Sequence, residues 1–294
     1  PNACRRLPDT LALQLLATQE VRYGMSLRRI GMEEWNVLAD DITQWIREFA
    51  ESNGVRTLVV GVSGGIDSSV TSTLSARTGI DTIVLNMPIH QNPSQYNLSN
   101  RHIAWLESNW DNVEGRLVDL TKTFDFLHSE LGGSDISDLA LANSRARLRM
   151  TTLYAISGST GGIVVGTGNK VEDFGVGFFT KYGDGGVDIS PIADLYKSEV
   201  YSLGDALGIL QEIRDAPPTD GLWNDGRTDE DQMGASYGEL EWAMNEVESP
   251  SNGTLSGREK EVLGVYQRLH NANSHKMNPI PIFKKNRDSN KKDE

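Results

Sequence analysis

Ser63-Gly64-Gly65-Ile66-Asp67-Ser68 puts two glycines, serine hydroxyls and a carboxylate directly after the apolar run Thr57–Val62 and ahead of the helical pattern Asp67–Ala76. Paired glycines let a backbone turn sharply and aim its N–H groups at an anion, and a helix that starts there points its positive end at the same place. The segment Gly61, Val62, Ser63, Gly64, Gly65, Ile66, Asp67 and Ser68 therefore suits a phosphate or pyrophosphate. Asp67 would repel that anion unless a divalent cation bridged carboxylate and phosphate, which is hard-oxygen chemistry of the Mg²⁺ kind.

Two familiar phosphate motifs are missing, since the chain has no Gly-Lys dipeptide and no GxGxxG, so neither a P-loop nor the standard dinucleotide fingerprint is present. SGGxDS after a strand instead resembles the loop of enzymes that split ATP between its α and β phosphates. A rival stays open at this point. Gly61-Val62-Ser63-Gly64-Gly65 also matches GxSxG, the nucleophile elbow of α/β-hydrolases, which would make Ser63 a nucleophile with His270 or His275 as its late histidine. No HGGG-type oxyanion segment accompanies it, and the elbow leaves the second half of the chain unexplained.

The elements around this loop alternate. Trp35, Leu38, Ile42, Trp45, Ile46 and Phe49 recur at helical spacing before Asn53-Gly54, predicting a helix over 33–52. Strands are expected at Thr57–Val62, Thr82–Met87, Gly115–Leu120 and Gly162–Gly166, with helices at 67–76, 98–109, 138–157, 231–247 and 258–272. Continuous apolar strands alternating with helices predict an α/β fold: one domain built on a Rossmann-like, doubly wound parallel sheet flanked by helices. Ligands in such sheets sit at the carboxyl ends of the strands, where every motif above falls. Residues 90–97 and 215–231, rich in Pro, Gly, Asn and Asp, read as loops bordering the site or as ordinary surface connections. Residues 1–24 read as an N-terminal extension or cloning scar ahead of a start at Met25, residues 25–283 as the folded domain, and 284–294 as a polar, disordered tail.

Three further blocks follow in the second half: Gly166-Thr167-Gly168-Asn169-Lys170-Val171-Glu172-Asp173, then Gly177 through Asp188 (GFFTKYGDGGVD), then Pro191 through Lys197. Together with the Ser63 loop, these closely resemble, in order, the motifs of the ammonia-dependent NAD synthetases, over roughly Met32 to Phe283. The resemblance implies an ATP-dependent ligase that amidates deamido-NAD with ammonia through an adenylated carboxylate, giving NAD, AMP and pyrophosphate. By the same resemblance, Gly61–Ser68, Thr167, Lys197 and Thr219 bind ATP, with Asp67 and Lys197 at the reaction centre. Asp67 and Glu172 hold Mg²⁺, and Arg147, Lys181, Asp188, His275 and Lys276 grip deamido-NAD. Many family members read GTDHAAE where this chain reads GTGNKVE, and one extra residue separates Glu172 from Lys181, so the choice between Glu172 and Asp173 as ligand rests on alignment alone. Spacing is similarly mute about Arg145, Arg147 and Arg149: on one helix, Arg147 faces away from the other two, but nothing says which face meets substrate.

Bulk properties narrow the alternatives. A net charge of −13 argues against tracking nucleic-acid phosphates. No apolar run approaches membrane-spanning length. Cys4 is the single cysteine, which excludes an intramolecular disulfide or CxxC metal site and fits a cytoplasmic protein. It also lies in too short a segment to serve a fused glutaminase, so free ammonia is the expected nitrogen source, with a separate glutaminase partner left open. A homodimer is expected from the family. A GMP-synthetase-like ligase and a catalytically silent nucleotide sensor are the other readings, against which stand the KYGDGGxD block and the intact Asp67, Glu172 and Lys197.

Overall fold

Side-chain alternation along two strands sets the architecture. A computed structural model describes residues 31–132, 135–219, 221 and 227–285. Its parallel sheet comprises Thr57–Gly61 (β1), Asp81–Asn86 (β2), Val113–Leu117 (β3) and Gly162–Val164 (β4), in the order β3-β2-β1-β4. Leu58, Val60 and Val84 enter one core, and Val59, Ile83 and Leu85 the other, as a period of two requires of strands covered on both faces. The chain steps outward from β1 to β3, then returns to place β4 on the far side of β1. The order thus reverses at β1 and β4, and a crevice opens beyond their carboxyl ends.

One face is covered by Met32–Ser52 (α1), Ile66–Arg77 (α2), Pro93–Asn109 (α3) and, after the helices below, Lys197–Ala206 (α6). Thr121–Glu130 (α4) and Asp138–Thr160 (α5) cover the other. On α1 the buried Ala39, Ile42, Ile46 and Ala50 form a single stripe, whereas α2 is buried almost all round and shows no stripe for a sequence reading to find. Gln211–Arg214 (α7) and Asp229–Met233 (α8) are short. Tyr237–Glu248 (α9) and Gly257–Met277 (α10) pack with the π-helical turn Val171–Val176 in a separate apolar cluster.

The chain differs from its sequence-based expectation in several places. Residues 93–97, read as loop, are the first turn of α3: Asn92 accepts the Ser94 N–H at 2.9 Å and Pro93 sits at the first helical position, so residues that signal a turn here signal a helix start. The third strand, expected at 115–120, runs from Val113 to Leu117, starting two residues early and ending three early. The helix expected over 231–247 is two helices, because Gly234 takes φ +81° after α8. α4 and α6 were not anticipated. Within 215–231, residues 220 and 222–226 lie outside the described residues, as do 1–30 and 286–294, which include the expected extension, Cys4 and nearly all of the expected tail. Among the described residues no helix is long and apolar enough to cross a membrane.

Candidate active site

Gly64 adopts φ +90°, and a Cβ there would lie 2.8 Å from the Gln95 carbonyl oxygen and 2.9 Å from the Ser99 nitrogen. Only glycine allows α3 to approach so closely. Ser99 Oγ donates to the Val62 carbonyl at 2.7 Å, and Ser68 Oγ donates to the Gly65 carbonyl at 3.0 Å, which fixes the turn against α2 and α3. The turn and the first turn of α2 face a cavity of about 780 Å³, within the usual range for small-molecule sites. All eight residues Gly61–Ser68 line it, together with Thr167, Glu172, Lys197, Thr219 and Lys276.

A buried ionic cluster forms one wall. Lys197 opens α6 with 3% exposure, and its Nζ donates to Asp67 Oδ2 at 2.5 Å and to Glu172 Oε1 at 3.0 Å. Burial alone would lower the ammonium pKa, but the two carboxylates outweigh it and hold Lys197 charged. Glu172 is pushed upward by burial yet ends below the usual carboxylate range, through Lys197 and hydrogen bonds from Tyr237 and Asn169. Asn169, fully buried, donates Nδ2 to Asp67 Oδ1 at 3.0 Å and accepts the Glu172 N–H at 3.1 Å, so one amide orients both acids. Tyr237 OH donates to Glu172 Oε1 at 2.6 Å, with Lys197 Nζ 4.7 Å from its ring centre. Glu241, one turn along α9, accepts the Ser198 N–H at 2.9 Å and its hydroxyl at 2.8 Å, capping α6 just where Lys197 emerges.

Glu172 reaches this cluster from the π-helical turn, whose i→i+5 closure holds one residue more than an α-turn. Asp173 points elsewhere, its carboxyl packing where a Cβ on Gly168 would stand. Burial and the neighbouring Glu172, Asp184 and Asp67 charges raise Asp173 well above the usual range. Asp184 rises to about 6, mainly by burial.

The second group of predicted residues is only partly gathered here. Lys276 reaches the cavity wall, donating to the Gly177 and Phe179 carbonyls at 2.9 Å each. Arg147 instead donates to the Lys181 carbonyl at 3.2 Å, and Lys181 Nζ to the His275 carbonyl at 2.8 Å, forming a chain beside the main cavity. Asp188 accepts the Val164 N–H at 2.7 Å and the Tyr154 hydroxyl at 2.9 Å, near a smaller depression lined by Met150, Thr151, Tyr154, Tyr182 and Gly186. It is Arg149, not Arg147, that lines the main cavity, donating to the Met87 carbonyl at 3.0 Å.

The hydrolase reading finds no triad among the described residues. Ser63 Oγ lies 3.1 Å from Ser68 Oγ and accepts the Gly65 N–H, while His270 bonds the Gly175 carbonyl and His275 the Ala272 carbonyl. Asn169, Tyr237, Glu241, Asp229 and Arg149 are the site residues that sequence reasoning missed. Asn169 lay inside a quoted motif, and Ser236-x-x-Glu239, a capping box that starts α9 beside Tyr237, was readable in advance. Nothing local marked Glu241.

Fold and site together define a doubly wound α/β protein with a glycine-rich turn at the end of its central strand and a buried carboxylate–lysine cluster lining the same cavity. The model of the family described as NAD synthase matches residues 38–279, and the chain belongs to that family. An "NH(3)-dependent NAD(+) synthetase" of Alkaliphilus metalliredigens is 38% identical over 247 residues, covering 82% of this chain and 96% of the relative. One of Sulfurisphaera tokodaii is 33% identical, covering 85% and 90%. Among solved structures, an NMN synthetase from Francisella tularensis superposes with a TM-score of 0.74 at 30% identity, covering 86% and 98%. An NH3-dependent NAD synthetase from Campylobacter jejuni, with a TM-score of 0.70 at 24% identity over 85% and 99%, attests the fold alone.

Proposed function

We propose that this chain is an ammonia-dependent NAD synthetase, a ligase that converts the nicotinate carboxylate of deamido-NAD into an amide at the expense of ATP. The observation that carries this reading is the convergence, in one cavity, of the Gly64–Gly65 turn and the Asp67–Lys197–Glu172 cluster, in a chain of the NAD synthase family. A carboxylate resists ammonia because its carbonyl is electron-rich and oxide is a poor leaving group. Attack of a carboxylate oxygen on the α-phosphorus of ATP, with rupture of the bond to the β-phosphate, gives an acyl adenylate and pyrophosphate. Ammonia then attacks the acyl carbon and the C–O bond to AMP breaks.

The chain's residues serve this sequence by position and charge. The amides of residues 63–65 and the positive end of α2 receive the pyrophosphate portion. Asp67 and Glu172 fit a divalent cation, since both already direct an oxygen at the single cationic point of Lys197 Nζ, and Mg²⁺ held by them would neutralise the phosphates and favour departure of pyrophosphate. Lys197, displaced from between them, would reach the phosphates, with Thr167 and Thr219 at the cavity edge. Arg147, Lys181, Asp188, His275 and Lys276 would hold the dinucleotide. A homodimer in the cytoplasm completes the reading, with free ammonia as nitrogen donor.

Purified protein incubated with ATP, Mg²⁺, deamido-NAD and ammonium should yield NAD, AMP and pyrophosphate in equal amounts, and glutamine should not replace ammonium. ATP left intact with both nitrogen sources would sink the ligase reading. A second substrate reading has one observation behind it, the 30% identical structure named an NMN synthetase. The same chemistry on nicotinate mononucleotide would give NMN, so that substrate belongs in a parallel reaction. A kcat/KM higher for the mononucleotide would reassign the substrate while leaving the chemistry standing.

A further inference from the structure

Tyr237 OH donates to Glu172 Oε1 at 2.6 Å and also lies 3.2 Å from Asp229 Oδ2. A phenol has one hydrogen, so the two carboxylates share it, and the nearer oxygen holds it in the geometry seen. Asp229 lines the same cavity from a different segment. It opens α8, and its backbone N–H donates to the Pro218 carbonyl at 3.1 Å, next to Thr219 at the cavity edge. Tyr237 itself is anchored, 6% exposed in the cluster formed by α9, α10 and the π-helical turn, and its own N–H donates to Glu230 Oε1 at 2.9 Å. A continuous run of bonds thus leads from Glu172, through the Tyr237 hydroxyl and Asp229, to Pro218 and Thr219. It joins segments 65 and 8 positions apart in sequence.

We infer that the Tyr237 hydroxyl couples loading of the Asp67–Glu172 pair by a divalent cation to the placement of the Pro217–Thr219 run beside bound ATP. Tyr237 is a positioning residue and does not line the cavity. When a cation takes the charge of Glu172, that oxygen becomes a weaker acceptor and the intact phenol O–H turns its hydrogen bond to Asp229. Strengthening that bond holds the start of α8, and with it the Pro218 carbonyl, in place. Reciprocity requires that whatever holds the Pro217–Thr219 run also strengthens cation binding by the same factor. The inference rests on the proposal that Asp67 and Glu172 hold the cation.

The test is amide hydrogen exchange of wild type, Tyr237→Phe and Asp229→Asn, each alone, with a non-hydrolysable ATP analogue, and with that analogue plus Mn²⁺, alongside Mn²⁺ titration by electron paramagnetic resonance. In wild type, Mn²⁺ should slow exchange across 215–219 and α8 beyond the effect of nucleotide alone. Both variants should keep wild-type exchange in the cation-free protein, lose the Mn²⁺-dependent slowing, and bind Mn²⁺ at least about fivefold more weakly. The double variant should lose nothing further, as expected for two ends of one connection. Unchanged Mn²⁺-dependent slowing in Tyr237→Phe overturns the coupling and leaves the cation site standing. Absence of any nucleotide-dependent Mn²⁺ binding in wild type overturns the cation site and the coupling together.

Discussion

Lys197 holds its ammonium between two acids in a place with almost no solvent, and the consequences of removing it follow from that burial. Breaking a buried ion pair by deleting one partner costs about 3–5 kcal/mol, because the remaining charges lose their compensation. Lys197→Ala should therefore lower the midpoint of urea unfolding, and Asp67→Asn added to it should recover part of the loss. Activity should behave differently. With a preorganised positive charge gone from the phosphates, AMP formation should fall about 10²–10³-fold in Lys197→Ala, and the second substitution should restore none of it. Recovery of turnover together with stability would show that Lys197 has only a structural role. The residue types at this site were legible from the motifs, but their partners were not. Asn169 accepts the Glu172 N–H three positions on, as a local cap does, but its other bond reaches Asp67 102 positions away, which no spacing rule covers.

Elements carry the next set of expectations. The turn before α2 works only because Gly64 sits at φ +90° under α3. Gly64→Ala meets both backbone strain and contact with the Gln95 and Ser99 backbones, and should destabilise by about 1–3 kcal/mol and weaken ATP binding at least about tenfold by calorimetry. An alanine variant with wild-type affinity for ATP would mean the turn is not the phosphate site. On the opposite wall, Glu241 accepts two hydrogen bonds at the start of α6. Glu241→Ala leaves the Ser198 N–H without that acceptor and should cost about 1–3 kcal/mol in denaturant unfolding. If the cap also sets the direction of Lys197, kcat should fall while KM for deamido-NAD holds, whereas a purely structural cap would lower stability alone. Helix existence was readable wherever an apolar stripe existed, as in α1. In α2, buried on nearly every side, the helix was legible from the strand–turn–helix order rather than from a stripe, and α6, capped both by its own Glu199 and by Glu241 from another helix, went unread.

At the scale of the whole molecule, His102 links the packing of α2 and α3 to pH. It is fully buried and stacked on Trp105, with ring centres 5.5 Å apart, and its Nε2 lies 3.0 Å from Ser72 Oγ. Ser72 Oγ already donates to the Ser68 carbonyl at 2.7 Å, so the tautomer inferred has Nε2–H as donor, leaving Nδ1 a bare acceptor. Burial drives the imidazole pKa from 6.5 to about 4. The unfolded chain takes up this proton below 6.5 and the folded chain only near 4, so the stability His102 confers is complete above 6.5 and lost as pH falls through that window. The loss amounts to about 3 kcal/mol at 1.36 kcal/mol per unit. Asp184, raised to about 6 by burial, acts in the opposite sense: its contribution is full below 3.8 and is lost as pH rises toward 6. The two partly cancel in wild type, so the informative quantity is a difference. The stability of His102→Gln relative to wild type should rise by about 2–3 kcal/mol as pH falls from 7 to 4.5. A difference independent of pH would mean that the ring is not buried neutral.

The sequence by itself determined the alternation of buried strands with helices, the glycine turn at the first strand–helix junction, and the order of motifs that places the chain in its family. Each depends on neighbours within a few residues, where backbone sterics and side-chain period act directly. The tertiary structure alone decided that Glu172 rather than Asp173 meets Lys197, that Arg149 rather than Arg147 lines the cavity, and that α9 supplies Tyr237 and Glu241 behind the Lys197 cluster. Those choices turn on helix rotation, on the π-helical turn that carries Glu172, and on contacts between segments far apart in the chain. A one-residue change in helical phase moves a side chain by about 100°, a difference that composition and spacing do not register.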